Sequence, residues 1–198
     1  MSRVVVVNHL TLDGVMQAPG RPDEDLRGDF EHGGWATPYG DEVMGRVMSE
    51  GMAHGGALLF GRRTYEDFAA VWPNRKDNPF TEVLDRRQKY VASTTLREPL
   101  PWSNSTLLKG DAAHAVAGLK EHSEEDLTVL GSGELVQSLM RHDLVDEYLL
   151  TIHPLVLGSG RRLFPDRGAF AALRLVETKP TTTGVLIARY QPTGPATR

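Results

Sequence analysis

Hydrophobic residues along the chain form short continuous runs that alternate with segments of helical spacing. Apolar runs of about four to eight residues bounded by turns are typical of buried strands, whereas spacing at i, i+3 and i+4 indicates a helix. Residues 3–10 contain four successive valines, which favours a strand covered on both faces, as in the middle of a mostly parallel sheet. The same pattern predicts strands at 56–60, 88–93 and 105–108.

The segments between these strands carry helical or turn patterns. Helices are predicted at 39–54, 61–71 and 112–122, with a short helix or turn at 80–87. Residues 127–164 combine an apolar strand, a glycine turn, an amphipathic helix and a second apolar strand. Two further strands, at 173–179 and 185–190, predict a C-terminal antiparallel hairpin. Strands that alternate with helices predict an α/β fold with a mixed, mostly parallel sheet.

Composition narrows the class of protein. A length of 198 residues suits one domain, expected at 1–191, followed by a flexible tail at 192–198. The net charge of −4 and the absence of a dense Lys/Arg run predict no nucleic-acid partner and no membrane partner. The chain has no cysteine, which excludes thiolate metal sites and fits the cytoplasm, and its N-terminal apolar run is too short for an export signal. The seven histidines have neither HxH nor HExxH spacing, so no metal site is expected.

The strongest candidate for a phosphate site is the glycine turn inside 127–164. The turn that connects a predicted strand to a predicted helix consists of Gly131, Ser132 and Gly133, and the helix begins with Glu134 and Leu135. Backbone N–H groups at a helix N-terminus suit a phosphate, and glycines allow close approach. The alternative is a plain strand-to-helix turn. The third glycine of the dinucleotide fingerprint is replaced by Val136, which disfavours a Rossmann domain.

Two other predicted strand ends carry anion-binding side chains. Gly61, Arg62, Arg63 and Thr64 follow the second strand, and the arginines either pair with a phosphate or are solvated. The hydroxyl groups that follow the third strand belong either to a ribose-phosphate site or to an ordinary cap; they are those of Ser93 and Thr94. Because the carboxyl ends of parallel strands share one edge, these groups jointly predict one ligand groove.

Other residues have open roles. Asp13, after the first strand, is a candidate catalytic residue for orientation or proton transfer, or else an Asp-Gly turn. Residues 18–38 read as a lid or binding loop. Trp35 and Trp72 either stack on a substrate ring or anchor loops, and residues 158–162 form either an anion loop or a hairpin turn. Neither GxSxG nor GxxxxGK[ST] is present, which excludes a hydrolase elbow and a P-loop.

The motifs together resemble the dihydrofolate-reductase-like superfamily. More closely, they resemble the reductase domain of the bifunctional riboflavin-biosynthesis deaminase/reductase and its stand-alone relatives. The resemblance covers nearly the whole chain up to about residue 191, and the segments that carry it are 11–14, 61–66, 130–135, 143–147, 153–160 and 162–164. Leu130 stands where riboflavin-pathway reductases often carry an acidic residue, so the substrate is left open.

The resemblance implies a three-layer sandwich with an eight-stranded mixed sheet, and NADPH lying along the strand ends. It also implies hydride transfer to a small heterocyclic or related unsaturated acceptor, and a homodimer. Carried over by position, the expected cofactor-binding residues are Gly61, Arg62, Thr64, Ser93, Thr94, Gly131, Ser132, Gly133, Glu134 and Leu135. The alternative function is a nucleotide-binding sensor or scaffold of the same fold without turnover.

Overall fold

The computed structural model describes residues 2–76 and 78–194, within which one eight-stranded sheet is flanked by five helices. The strands are β1 (Val4–Thr11), β2 (Ala57–Gly61), β3 (Lys89–Ala92), β4 (Ser105–Leu108), β5 (Leu127–Leu130), β6 (Glu147–His153), β7 (Leu173–Pro180) and β8 (Leu186–Pro192). The helices are α1 (Glu42–Ala53), α2 (Arg62–Val71), α3 (Pro79–Arg86), α4 (Ala112–His122) and α5 (Gly133–Arg141).

The strand order across the sheet is β4-β3-β2-β5-β1-β6-β8-β7. Strands β1 to β6 run parallel to one another, while β8 pairs antiparallel with both β6 and β7. This arrangement confirms the predicted α/β fold, its mostly parallel sheet and its C-terminal hairpin. The carboxyl ends of β1, β2, β3 and β5 therefore lie along one edge, where open α/β sheets bind ligands.

The two faces of β1 have different surroundings. Val4 and Val6 are fully buried in the main core, together with Val136 and Leu139 of α5. Val5 and Val7 point to the opposite face, where they are only partly buried and line a cavity. The prediction that this strand is covered on both faces was therefore wrong for one face. The side of β1 that carries Val5 and Val7 forms the floor of an open cavity.

Helix starts follow local capping chemistry. The Asp41 carboxylate accepts a hydrogen bond from the Met44 N–H at 2.8 Å, which satisfies a free donor of the first turn and starts α1 at Glu42. The predicted start at residue 39 was too early, because residues 37–39 form a 3-10 turn and Gly40 is extended. Asn78 and Asp111 cap α3 and α4 in the same way.

The described residues contain no helix that is both long and apolar enough to cross a membrane. The predicted flexible tail begins at Pro192, which is the last residue of β8. Residues 195–198 of that tail lie outside the described residues.

Candidate active site

A cavity of about 1210 Å³ lies against the open face of the sheet. Its floor is formed by β1, β5 and β6, and its walls come from α1, α2 and α3. At the carboxyl-terminal edge it continues past the N-terminus of α5 and the first part of the 18–38 loop. This volume exceeds that of an ordinary small-molecule pocket, which is about 300–1,000 Å³.

The glycine turn joins the ends of β2 and β5. Gly131 and Ser132 both have left-handed backbone conformations, with φ of +58° and +54°. The Ser132 N–H donates to Thr64 Oγ1 at 3.1 Å, and the Gly61 N–H donates to Ser132 Oγ at 3.0 Å. Ser132 Oγ in turn donates to the Leu130 carbonyl at 3.1 Å. The Ser132 hydroxyl therefore holds the turn in shape.

The N-terminus of α5 opens into the cavity. Gly133 and Glu134 line it, and their backbone N–H groups find no acceptor among residues 2–76 and 78–194. Such unsatisfied donors, with the positive end of the helix dipole, attract an anion. Met16 lies directly over Gly133, since a Cβ on that glycine would stand 2.5 Å from the Met16 sulfur.

Arginines surround this helix end. Arg63 Nη1 lies 2.8 Å from a Glu134 carboxylate oxygen, and Arg27 approaches the same oxygen at 3.4 Å. Desolvation would raise the pKa of Glu134, but these arginines outweigh it and lower the pKa below its ordinary value. Arg161 also lines the cavity, and its guanidinium has no hydrogen-bond or ion-pair partner within the described part of the chain. The helix end is therefore rich in cationic donors.

A pair of histidines lies where β1 and β6 meet the cavity. His9 Nδ1 is 3.0 Å from His153 Nε2 and 2.8 Å from Thr151 Oγ1. His9 lines the cavity, and its Nε2 has no partner among the described residues. Because an N–H at the buried Nδ1 of His153, which has no partner among the described residues, would be an unsatisfied donor, we assign the His153 proton to Nε2, from which it is donated to His9 Nδ1. The Nε2 atom of His9 then carries the ring proton.

Both imidazoles are neutral at physiological pH. Burial, reinforced by His153, lowers the pKa of His9 to about 4, and burial alone does the same for His153. His153 is fully buried between the rings of Trp35 and Tyr39, at centroid distances of 5.1 and 5.5 Å. Its Nδ1 has no partner among the described residues. The pair therefore offers the cavity a polar contact without a charge.

The 18–38 loop is packed against the domain. Trp35 is buried, and its Nε1–H donates to the Gln17 carbonyl at 2.7 Å. Phe30 joins Trp35 in a separate hydrophobic cluster, and Arg21 forms an ion pair with Asp67 of α2. Trp35 thus anchors the loop, whereas Trp72 lines the cavity.

Comparison with known proteins gives the family of this domain. The sequence model described as the RibD C-terminal domain matches residues 2–187. The chain belongs to this family. Its members are reductases related in fold to dihydrofolate reductase. The uncharacterized protein YyaP of Bacillus subtilis (strain 168) is 30% identical over 138 residues, covering 67% of this chain and 72% of YyaP.

Solved structures agree on the fold of the RibD C-terminal domain. A Shewanella sp. PV-4 protein, named as a candidate for riboflavin biosynthesis, has a TM-score of 0.71 at 21% identity. That match covers 96% of this chain and 99% of the other. Dihydrofolate reductase from Enterococcus faecalis, complexed with NADP(H), has a TM-score of 0.59 at 14% identity, with 96% of each chain covered. At these identities the likeness shows the fold.

The structure brings together most of the residues predicted from the glycine turns. The predicted residues that line the cavity are Thr64, Gly131, Ser132, Gly133 and Glu134. Gly61 and Leu135 lie immediately behind them, since a Cβ on Gly61 would stand 3.6 Å from that of Leu135 and 3.7 Å from that of Ser132.

Besides Gly61 and Leu135, three more predicted cofactor residues do not line this cavity. Arg62 is partly exposed and pairs with Glu66 one helical turn later, at 3.0 Å. Ser93 follows β3 on the same sheet edge, and its Oγ accepts from the N–H groups of Thr95 and Leu96. Thr94 is exposed in this turn. Their contact with a cofactor stays a prediction.

Asp13 has the contacts of a turn residue. Its carboxylate accepts hydrogen bonds from the Thr11 hydroxyl at 2.6 Å and from the N–H groups of Leu157 and Gly158 at 3.2 and 2.9 Å. Desolvation would raise the pKa of Asp13, but these hydrogen bonds outweigh it and lower the pKa. Asp13 is not among the residues that line the cavity. Its catalytic role stays a prediction that these contacts do not support.

Sequence reasoning missed the histidine pair, whereas Arg161 belongs to the segment 158–162 that was predicted as either an anion loop or a hairpin turn. His9 does leave a trace, because Asn8 and His9 are polar residues inside an otherwise apolar strand. His153 lies 144 residues later, so only the pairing of β1 with β6 brings the two rings together.

Proposed function

We propose that this RibD C-terminal domain is an NADPH-dependent reductase that transfers a hydride to a small unsaturated acceptor. The observation that carries the proposal is the N-terminus of α5, whose unpartnered N–H groups open into the cavity beside Arg63 and Arg161. In a family of reductases, this is where an anionic cofactor group is best accommodated.

The residues at this edge fit a dinucleotide. The amides of Gly133 and Glu134 and the side chain of Arg63 would hold the pyrophosphate, and Met16, which is flexible, can move off the helix end. Arg63 and Arg27, which both pair with Glu134, would exchange part of that pairing for phosphate oxygens. Arg62 stands next to Arg63 on the outer side of α2, where we propose that it reaches the 2′-phosphate.

The bound cofactor would supply the hydride. The protein's own part is to fix the acceptor, exclude water and provide a polar contact for the oxygen or nitrogen that gains electron density. His9 is the residue we assign to that contact, because its free Nε2 belongs to a residue that lines the cavity and its other nitrogen is held by Thr151 and His153.

The proposal is tested by calorimetric titration of the purified protein with NADPH and, separately, with NADH. We expect NADPH to bind with a dissociation constant no weaker than tens of micromolar, roughly −6 kcal/mol or better. Arg63→Ala should weaken both cofactors by about tenfold, because roughly 1.5 kcal/mol of charge-assisted pyrophosphate contact is lost. Arg62→Ala, its neighbour and matched control, should weaken NADPH and leave NADH nearly unchanged.

Absence of NADPH binding in this range would refute the proposal. Binding without oxidation of NADPH by any pterin, pyrimidine, enone or quinone would favour the alternative of a nucleotide-binding sensor or scaffold. The homodimer implied by the family resemblance stays a prediction, which sedimentation velocity can test.

A further inference from the structure

The middle of the cavity is an apolar slot between the sheet and three helices. Its floor is formed by Val5, Val7, Thr128, Leu130 and Leu149. Its walls are formed by Met48, Met52, Phe68, Trp72, Phe80 and Leu84. Thr128 is the single polar side chain of this set. A ligand with many ring N–H and oxygen groups would leave most of them without partners here, at a cost of about 1–3 kcal/mol each.

Two of the three arginines at the far end of the slot are paired with carboxylates. Arg3 binds Asp126 at 2.6 Å, and Arg189 binds the buried carboxylate of Glu147. Arg87 donates to the Met52 carbonyl. Among the described residues at this end, Arg87 is therefore the single guanidinium without a carboxylate partner, and burial lowers its pKa. The α1 residues that line the cavity are Val47, Met48, Gly51 and Met52, so among the described residues this helix presents no carboxylate to a cationic ring.

The polar end of the slot is His9. Asn8, the preceding residue, donates its amide to the Gly131 carbonyl at 3.0 Å, so this part of β1 adjoins the glycine turn. His9 Nε2, which we assign as protonated, is a donor suited to one carbonyl oxygen. A neutral donor beside apolar walls fits an acceptor with one polar atom at the reacting end.

We propose that the acceptor is a neutral, flat and predominantly apolar unsaturated carbonyl compound, of the enone or quinone class, whose oxygen binds His9. This inference rests on the proposed function and specifies its substrate class. In the reduction, a hydride from the nicotinamide dinucleotide adds to the electrophilic carbon. The electron pair of the double bond moves towards the oxygen, and a proton from water completes the reduced product.

The first experiment compares acceptors on the NADPH-loaded protein. The probes are 2-methyl-1,4-naphthoquinone, dihydrofolate and a ribosylaminopyrimidine phosphate. Turnover of each probe is measured as the rate of NADPH oxidation, and its binding is measured separately by calorimetry. We expect kcat/KM for the quinone to exceed that for either polar compound at least 100-fold. Preference for dihydrofolate or the pyrimidine, or failure of the quinone to bind, would overturn the inference.

Variants in α1 test the slot itself. Met48→Asp places a carboxylate in the wall and should lower quinone affinity at least tenfold, whereas Ser49→Asp, on the exposed side of the same helix, should change it less than twofold. Met48→Leu keeps the wall apolar and should lose less affinity than Met48→Asp, which separates the effect of the added charge from loss of the methionine side chain. Equal affinities in Met48→Asp and Ser49→Asp would contradict the inference.

The role of His9 needs a ligand control. His9→Ala should weaken the quinone at least tenfold but weaken 2-methylnaphthalene, which lacks the carbonyl oxygens, less than twofold. If His9→Ala weakens the binding of both compounds equally, His9 does not bind the carbonyl oxygen of the acceptor. If NADPH fails to bind, the proposed function fails; quinone binding to the cofactor-free protein, measured by calorimetry, still decides the acceptor class.

Discussion

His153, the buried member of the histidine pair, predicts a specific dependence of stability on pH. Burial lowers the pKa of His153 from 6.5 to about 4 in the folded protein. Between these values the unfolded chain binds more protons than the folded one, so stability is complete above pH 6.5 and falls as the pH falls towards 4. For one such histidine, the loss between pH 7 and pH 5 is roughly 2 kcal/mol of unfolding free energy.

Removal of the His153 imidazole should abolish that histidine's share of the pH dependence. We expect His153→Leu to lose roughly 2 kcal/mol less stability than the wild type between pH 7 and pH 5, whatever its stability at pH 7. The measurement is urea unfolding followed by tryptophan fluorescence at pH 7, 6 and 5. Acidic residues contribute equally to the pH dependence of both proteins. The difference between the two changes in unfolding free energy therefore isolates the contribution of His153.

An exposed histidine provides the control. His114 lies on the surface of α4, and His114→Leu should keep the wild-type pH dependence. If wild type and His153→Leu lose equal stability between pH 7 and pH 5, the folded pKa of His153 is close to 6.5. The neutral state of the histidine pair would then be refuted, and with it the assignment of His9 as an uncharged donor.

Two further predictions concern α1 and the first turn. Gly51 and Gly45 are both in α1 with no atom within 4 Å of an added Cβ, but only Gly51 lines the cavity. Leucine at either position should raise the stability by about 0.5–1 kcal/mol, measured by thermal unfolding. Only Gly51→Leu should lower kcat/KM for the acceptor. Equal kcat/KM values in the two variants would contradict the position of the slot. Asp13→Ala should lower stability by about 1–2 kcal/mol through lost turn hydrogen bonds. Loss of NADPH oxidation in Asp13→Asn with an unchanged Tm would instead support the catalytic role predicted from sequence.

Much of the fold was accessible from sequence because its signals are local. Apolar runs gave the strands, and the segment 127–164 gave β5, α5 and β6 in the correct order. The glycine turn placed Gly131 to Glu134 at the cavity because a strand end and a helix start can be recognised from neighbouring residues. The end of β3 was also predicted correctly. Whether Ser93 contacts a ligand depends on its distance from the ligand in the folded protein, which the sequence alone does not give.

The acceptor side of the site was hidden because it depends on register. His9 pairs opposite Thr151, and His153 lies two residues farther along β6 on the same face. A shift of one residue in this pairing would turn these side chains away from each other. Without the register, a histidine in a valine-rich strand and another before Pro154 are indistinguishable from isolated core residues.

The alternation of β1 explains how one strand can serve both stability and the proposed chemistry. Val4 and Val6 pack the main core, so their side chains are fixed by α4 and α5. Val5 and Val7 complete a floor that the protein itself leaves partly open, and His9 continues that face. The open face thus needs an apolar occupant with one polar atom, which is the same requirement that the unpaired Nε2 of His9 places on the acceptor. An apolar acceptor would therefore supply the cover that the sequence of β1 led us to expect on both faces.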